Sequence, residues 1–265
     1  MTLATPISVG LSGALGRMGR VCAEIVGARA DMELAALIDR PDAVGQDIDG
    51  RPVVSAADAL PLCDVVIDFS TPQASVALAR LAAGRGGPAL IIGATGFSQA
   101  DDALVREASA RVAIVKSGNY SLGVNLLLGL VRQAARALPA EDYDIEIFEA
   151  HHRRKVDAPS GTALMLGAAA ADGRGVDLAG VSERGRDGMT GPRAPGAIGF
   201  SVMRGGGIVG EHSVTLAADD EIITLSHSAR DRSLFARGAV QAARWVVVQK
   251  PGLYTMADVL GMTPA

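Results

Sequence analysis

The chain has 265 residues, room for one large domain or two modest ones with an ample core. Its formal net charge of −4 lacks the basic excess that a nucleic-acid or anionic-membrane partner requires, and its opening MTLATPISVG lacks the basic segment of a signal peptide. No apolar run reaches the ~18 residues that span a bilayer, and Cys22 and Cys63 both sit in apolar runs. A soluble, cytoplasmic protein with reduced core thiols is therefore expected.

In chain order, ISVGL (7–11) reads as a buried strand, and Met18, Val21, Cys22, Ile25 and Val26 then recur at helical spacing. ELAALID (33–39) is a second strand and PVV (52–54) a short third one. CDVVIDFS (63–70) is a strong strand, followed by a helix that Pro72 opens. ALIIGATGF (89–97) is another strand, then the polar-faced helix SQADDALVREASA, then VAIVKSGNYS (112–121) as the last strand. This βαβα rhythm predicts an α/β, Rossmann-like doubly wound parallel sheet.

The rhythm then changes. LGVNLLLGLVRQAARAL (122–138) predicts a long helix, YDIEIFEA (143–150) alternates as a half-buried strand, and a helix starts near Ser160. A Gly/Arg-rich loop is expected over 173–196, and 197–204, 208–217 and 221–228 read as an antiparallel meander. SLFARGAVQAARWVVVQ (233–249) closes the chain as a helix compatible with either half. The expected organisation is a dinucleotide-binding domain over 1–121, completed by 233–265. A second, smaller α+β domain over 122–232 carries a mixed or antiparallel sheet.

Three motifs carry chemistry. GLSGALGRMGR follows the first strand and opens the first helix, with Gly13, Gly16 and Gly19 as G-x-x-G-x-x-G. Glycines there permit a tight turn and let a pyrophosphate approach the backbone at a helix N-terminus. Asp39, at the end of the second strand, stands where an acid binds a ribose 2′-hydroxyl, while Arg40 suits a 2′-phosphate, so NADH against NADPH stays open. DFSTP (68–72), GATGF (93–97) and SGNYS (117–121) end later strands, where ligands of open α/β sheets bind. The third motif is EAHHRRKVDAPSGTA (149–163). Its adjacent histidines and cations suit metal badly, but they suit proton transfer and carboxylate binding. Ser160 is a good N-cap that leaves the Gly161 and Thr162 N–H groups as anion donors.

EAHHRRKVDAPSGTA resembles the signature of the 4-hydroxy-tetrahydrodipicolinate reductase (dihydrodipicolinate reductase) family. GALGRMG, DFSTP, IIGATGF, GNYSLGVN, PGAIGF and GEHSV follow in family order, so the resemblance covers essentially the whole chain. It implies a cytoplasmic homotetramer in the diaminopimelate branch of lysine biosynthesis. It also implies a nicotinamide-binding domain, and a substrate domain that carries the tetramer contacts. By matching position, His151 would be proton donor or acceptor and Lys155 a second donor. His152, Ser160, Gly161 and Thr162 would hold a small dicarboxylate substrate. Gly13, Ala14, Leu15, Gly16, Arg17, Met18, Asp39, Arg40, Gly93, Ala94, Thr95, Ser117, Gly118, Asn119 and Tyr120 would line NADH and/or NADPH, and no metal is implied. Asp39 stands where Glu is often found, Ser70-Thr71 where some members have Thr-Arg, and Tyr120 where Phe is common. A semialdehyde dehydrogenase would need a nucleophilic cysteine in its later half, and both cysteines fall before residue 64. A dinucleotide sensor would lack His151 or Lys155, and both are present.

Overall fold

The structure is a computed structural model that describes residues 5–262. The chain alternates β1 (Ile7–Ser12), α1 (Arg17–Gly27), β2 (Met32–Ile38), β3 (Asp47–Ile48), β4 (Arg51–Val54), α2 (Ala56–Ala59), β5 (Val65–Asp68), α3 (Pro72–Arg85), β6 (Ala89–Ile92), α4 (Gln99–Ser109) and β7 (Ala113–Lys116). After α5 (Leu122–Ala137) come β8 (Asp144–His151), α6 (Gly161–Arg174), α7 (Leu178–Val181), β9 (Ser182–Glu183), β10 (Ile198–Arg204), β11 (Gly210–Ala217) and β12 (Ile222–Ala229). The chain closes with α8 (Ser233–Val246), β13 (Gly252–Tyr254) and α9 (Met256–Val259). It divides into two compact units. One runs to Leu122 and resumes at Ser233; the other is Gly123–Arg232.

In the first unit, eight strands lie in the order β13-β7-β6-β5-β1-β2-β4-β3, all parallel except the short β3. Parallel strands buried on both faces are apolar on both, which is why the central β1, β5, β6 and β7 read as largely apolar runs. Val9, Leu11, Ile67, Ile91 and Val115 point to one side, against Cys22 and Val26 of α1 and Ala236–Val246 of α8. Val66, Leu90, Ile92 and Ile114 point to the other, against α3 and α4. Local chemistry sets the helix starts. Thr71 caps α3 ahead of Pro72, and Ser98 with Asp101 forms a reciprocal capping box on α4. The chain leaves β1 toward β2 and later returns to β5 on the other flank. The crevice beyond the carboxyl ends of β1 and β5 is therefore the topological switch point, where such sheets bind ligands.

In the second unit, five strands lie in the order β12-β11-β8-β10-β9. Ile145 and Ile147 of β8 pack with Leu127 and Val131 of α5 and Ala163 and Leu166 of α6. The expected meander is corrected here. β10 is parallel to β8 and β9, while β11 runs antiparallel on the other side of β8, so only β11 and β12 form a hairpin. Other expectations are corrected as well. The expected 173–196 loop is punctuated by α7 and β9, and Arg193 pins its end to Asp144, Glu146 and the backbone carbonyls of Ile145, Ala194 and Ala197. β7 is not the last parallel strand, because β13 adds to its edge. The strand expected over 89–97 ends at Ile92, and that over 112–121 ends at Lys116, leaving GATGF and SGNYS as loops.

Candidate active site

The first unit builds an open groove of about 800 Å³ at its switch point, lined by Gly13, Leu15, Gly16, Asp39, Arg40, Ser70 and Thr71 among others. Gly13 has φ +77°, and a side chain on it would come within 2.8 Å of the Phe69 carbonyl. A Cβ on Gly19 would lie 2.3 Å from the Gly13 carbonyl, so the loop and α1 meet backbone to backbone. Asp39 fastens this turn. One carboxylate oxygen accepts the Leu15 N–H at 2.8 Å and the other the Arg40 N–H at 2.9 Å. A carboxylate accepts about four hydrogen bonds, so capacity remains for ribose hydroxyls. The Arg40 side chain is 60% exposed and turns to Asp42 at 2.9 Å.

A dinucleotide fits what is there: a side-chain-free cradle, a helix start with no side-chain cap, and the buried Ser70 hydroxyl, which lacks a protein partner. The other cofactor candidates divide by side chain and backbone. Ala14 and Met18 give their side chains to the core, whereas Gly16 and Arg17 are exposed. Gly93, Ala94, Thr95, Ser117, Gly118, Asn119 and Tyr120 are absent from the groove lining; they follow β6 and β7 on the same carboxyl edge of the sheet. Gly93 lies under the Phe69 ring. The Tyr120 ring is buried edge-on to Phe69, with its hydroxyl bonded to the Ile92 and Val115 carbonyls, and burial pushes its phenol far up. Tyr120 therefore keeps its side chain in the core. Burial likewise pushes Cys22 up to about 12 and Cys63, beside Asp64, up to about 11, so neither thiol is a ready nucleophile.

The second unit gathers the 149–163 motif around Glu149, which is fully buried. Residues two apart in a strand share a face, so Glu149 and His151 lie together, 2.6 Å apart between Oε2 and Nδ1. Glu149 Oε1 accepts the Ser160 N–H at 2.8 Å, and Arg204 clasps both oxygens at 2.7 Å. Burial would push this carboxyl up, but Arg204, His151 and the Ser160 N–H together outweigh it and hold it below its ordinary range. The His212 ring stands edge-on to His151 at 5.1 Å, with Nε2 at 3.2 Å from the Ser160 hydroxyl. Burial first, then His151, push His212 down to about 4.

His152 lies beyond the strand, 3.2 Å from Arg232, and burial, Arg154 and Arg232 push it down. Lys155 pairs with Asp157 at 3.0 Å. Ser160 caps α6 through the Ala163 N–H, and Gly161 at the helix start is exposed, with nothing within 4 Å of where a Cβ would stand. Among the described residues no group of three or more His, Cys, Asp or Glu is placed to hold a metal ion.

Residues 7–120 match the family model for the dihydrodipicolinate reductase N-terminus, and residues 123–260 match the model for its C-terminus. The chain belongs to the dihydrodipicolinate reductase family. A relative from Caulobacter vibrioides, named 4-hydroxy-tetrahydrodipicolinate reductase, is 59% identical over 98% of this chain and 99% of its own. One of the same name from Allorhizobium ampelinum is 52% identical over 95% and 97%. The dipicolinate-bound dihydrodipicolinate reductase from Paenisporosarcina sp. TG-14 shares the fold at TM-score 0.78 and 23% identity, over 96% of this chain and 99% of that one. This reductase is thus an oxidoreductase of lysine and diaminopimelate biosynthesis that uses NAD(P)H.

Four residues of the reductase's polar cluster escape a reading by motif: Glu149, Arg204, His212 and Arg232. Glu149 was signalled by its i−2 spacing from His151. His212 lay inside GEHSV, and pairs across the sheet with Glu149. Arg204 and Arg232 carry no local signal, because each reaches its partner from 55 or 80 residues away.

Proposed function

We propose that this chain reduces 4-hydroxy-tetrahydrodipicolinate to tetrahydrodipicolinate, with the first unit as the dinucleotide-binding domain and the second as the substrate domain. The observation that carries this reading is the second unit's cluster: a histidine anchored on a buried carboxylate, beside a capped helix start and fixed cations. Gly13 to Met18, Asp39, Arg40, Gly93 to Thr95 and Ser117 to Tyr120 would hold the dinucleotide, which supplies the hydride when bound. Loss of water from the substrate leaves an α,β-unsaturated imine, and the enamine that follows hydride addition needs a proton. His151 Nε2 carries it, with Lys155 as the second donor, once the substrate carboxylate displaces Asp157 from the ammonium. The backbone N–H groups of Gly161 and Thr162 at the start of α6, together with His152 and Arg232, bind the substrate carboxylates.

The reading extends to a cytoplasmic homotetramer. Support for assembly comes from the second unit's sheet, which leaves Phe148, Met203 and Ile222 exposed at 40%, 48% and 68%. Among the described residues no helix is long and apolar enough to cross a membrane. Light scattering on the purified chain tests the tetramer. The activity is tested by following reduced nicotinamide absorbance, which should fall only when the condensation product of pyruvate and aspartate semialdehyde is supplied. His151→Ala and Lys155→Ala should each lower kcat about 10²–10⁴-fold and spare cofactor affinity. Loss of NADH binding with turnover retained would overturn the assignment.

A further inference from the structure

The sequence motif offers His151 as a proton carrier but leaves open what makes one of its two ring nitrogens available and aims it. We propose that Glu149 is the positioning residue of this reductase. Through one carboxylate oxygen it fixes the tautomer and direction of His151, and through the other it fixes Ser160, from which the carboxylate-binding start of α6 springs. The inference rests on the reading of His151 as the proton carrier.

An ionised Glu149 only accepts hydrogen bonds, so the ring nitrogen 2.6 Å from it, Nδ1, must carry a hydrogen. The bond at one imidazole nitrogen decides the state of the other. Nε2 is left as the working atom, free to take up or give a proton. Arg204 holds both oxygens at 2.7 Å, so the carboxylate cannot rotate away from the ring.

The charges around the ring say why an anion is needed there. From its own segment His151 faces Glu149 and His152, and Lys155, paired with Asp157, bears on the neighbouring His212. β10 contributes Arg204 and β11 contributes His212, behind which His227 of β12 adds to the positive surroundings when charged. Arg204 and His151 both bond Glu149, which is the anion in contact with the ring. His212, pushed down to about 4 by burial, stays neutral at working pH and adds no further positive charge. The second oxygen does separate work. Its bond from the Ser160 N–H, with the Ser160 hydroxyl at 3.2 Å from both His212 Nε2 and the Ala163 N–H, ties the start of α6 to the same group that aims the histidine. Proton donor and carboxylate cradle are thereby held in register by one side chain.

The decisive test needs no substrate or cofactor. The protein has four histidines, so two-bond ¹H–¹⁵N spectra of the full chain resolve them, and His151→Gln identifies the signal of interest. The expected result, read at a pH where the ring is neutral, is the Nδ1–H tautomer of His151, converting partly or wholly to Nε2–H in Glu149→Gln. In that variant kcat should fall about 10²-fold or more, with the kcat–pH profile displaced toward acid. Cofactor KM should be unchanged. Glu149→Asp, which keeps the charge on a shorter arm, should recover part of the tautomer and part of kcat. An Nε2–H ring in the wild-type protein would overturn the proposal even if Glu149→Gln failed to fold. So would a folded Glu149→Gln with the wild-type tautomer and pH profile. Failure of the reductase reading shows separately, as a chain that oxidises no nicotinamide with the substrate while its histidine spectrum stays as described.

Discussion

Gly161→Val separates a carboxylate-binding helix start from an ordinary capped one. Gly161 is the first residue of α6, is exposed, and has open space where a Cβ would be placed. The folded protein therefore meets no clash. Valine is about half a kcal/mol better than glycine in a helix, so the fold should lose nothing measurable. A substrate carboxylate must come within about 3 Å of the backbone N–H groups there, and the isopropyl group stands in its way. Each charge-assisted bond lost costs about 1.5–3 kcal/mol, a rise in substrate KM of about ten- to a hundredfold. Ser160→Ala is the counter-variant. Ser160 is buried and its hydroxyl caps the Ala163 N–H, so its loss should cost about 1 kcal/mol and lower the melting temperature. Scanning fluorimetry, NADH titration and substrate KM on both proteins decide the matter. A lowered melting temperature with unchanged KM in Gly161→Val would refute the anion site.

Three further outcomes are expected. Gly19→Ala forces its methyl to 2.3 Å from the Gly13 carbonyl, so α1 must shift, costing about 1–3 kcal/mol and raising the Kd for NADH and NADPH alike; unchanged titrations would contradict the backbone contact. Asp39→Asn should weaken NADH more than NADPH and Arg40→Ala the reverse, read as the ratio of cofactor Kd values; equal losses would place both side chains away from the ribose. As pH falls from about 6.5 toward 4 the unfolded chain protonates His212 before the folded one does, so up to about 3 kcal/mol of stability present above that window is lost within it. Urea unfolding across this range should be flatter in His212→Gln, and an identical slope would show that His212 is not held neutral.

The parallel sheet was legible because burial on both faces makes β1, β5 and β6 largely apolar, with Ser8, Ser12 and Asp68 the polar exceptions, and because the helix starts at Pro72, Ser98 and Ser160 are written in local chemistry. The glycine turn was legible for the same reason: its constraint is backbone clearance at Gly13 and Gly19, which only one residue type satisfies. What stayed hidden was non-local. β10 and β11 are neighbours in sequence and invite a hairpin, yet β8 lies between them, and nothing in either strand's own pattern says so. β13 has three residues and too little pattern to be read. Tyr120 looks like a turn residue in SGNYS, and its burial depends on carbonyls 28 and 5 residues away.

The same distinction explains the basic cluster that a chain of net charge −4 concentrates at 151–155. It is not one patch. Arg153 and Arg154 are exposed, and strand geometry sends the two histidines to different partners. His151, still in β8, falls on the Glu149 face, with Nδ1 2.6 Å from that carboxylate. His152, one residue on, leaves the strand toward Arg232, where burial and two arginines push it down and keep it neutral. One histidine is thereby suited to carry a proton, and its neighbour to accept or donate a hydrogen bond without charge. On the proposed reading, the fixed positive charge for a dicarboxylate comes instead from Lys155 and from Arg232, which lies 80 residues from His152. Glu149 and His151 keep a common face in any register, so the continuation of β8 through His151 pairs it with the carboxylate, and the register of β8 with β10 and β11 brings Arg204 and His212 to that pair.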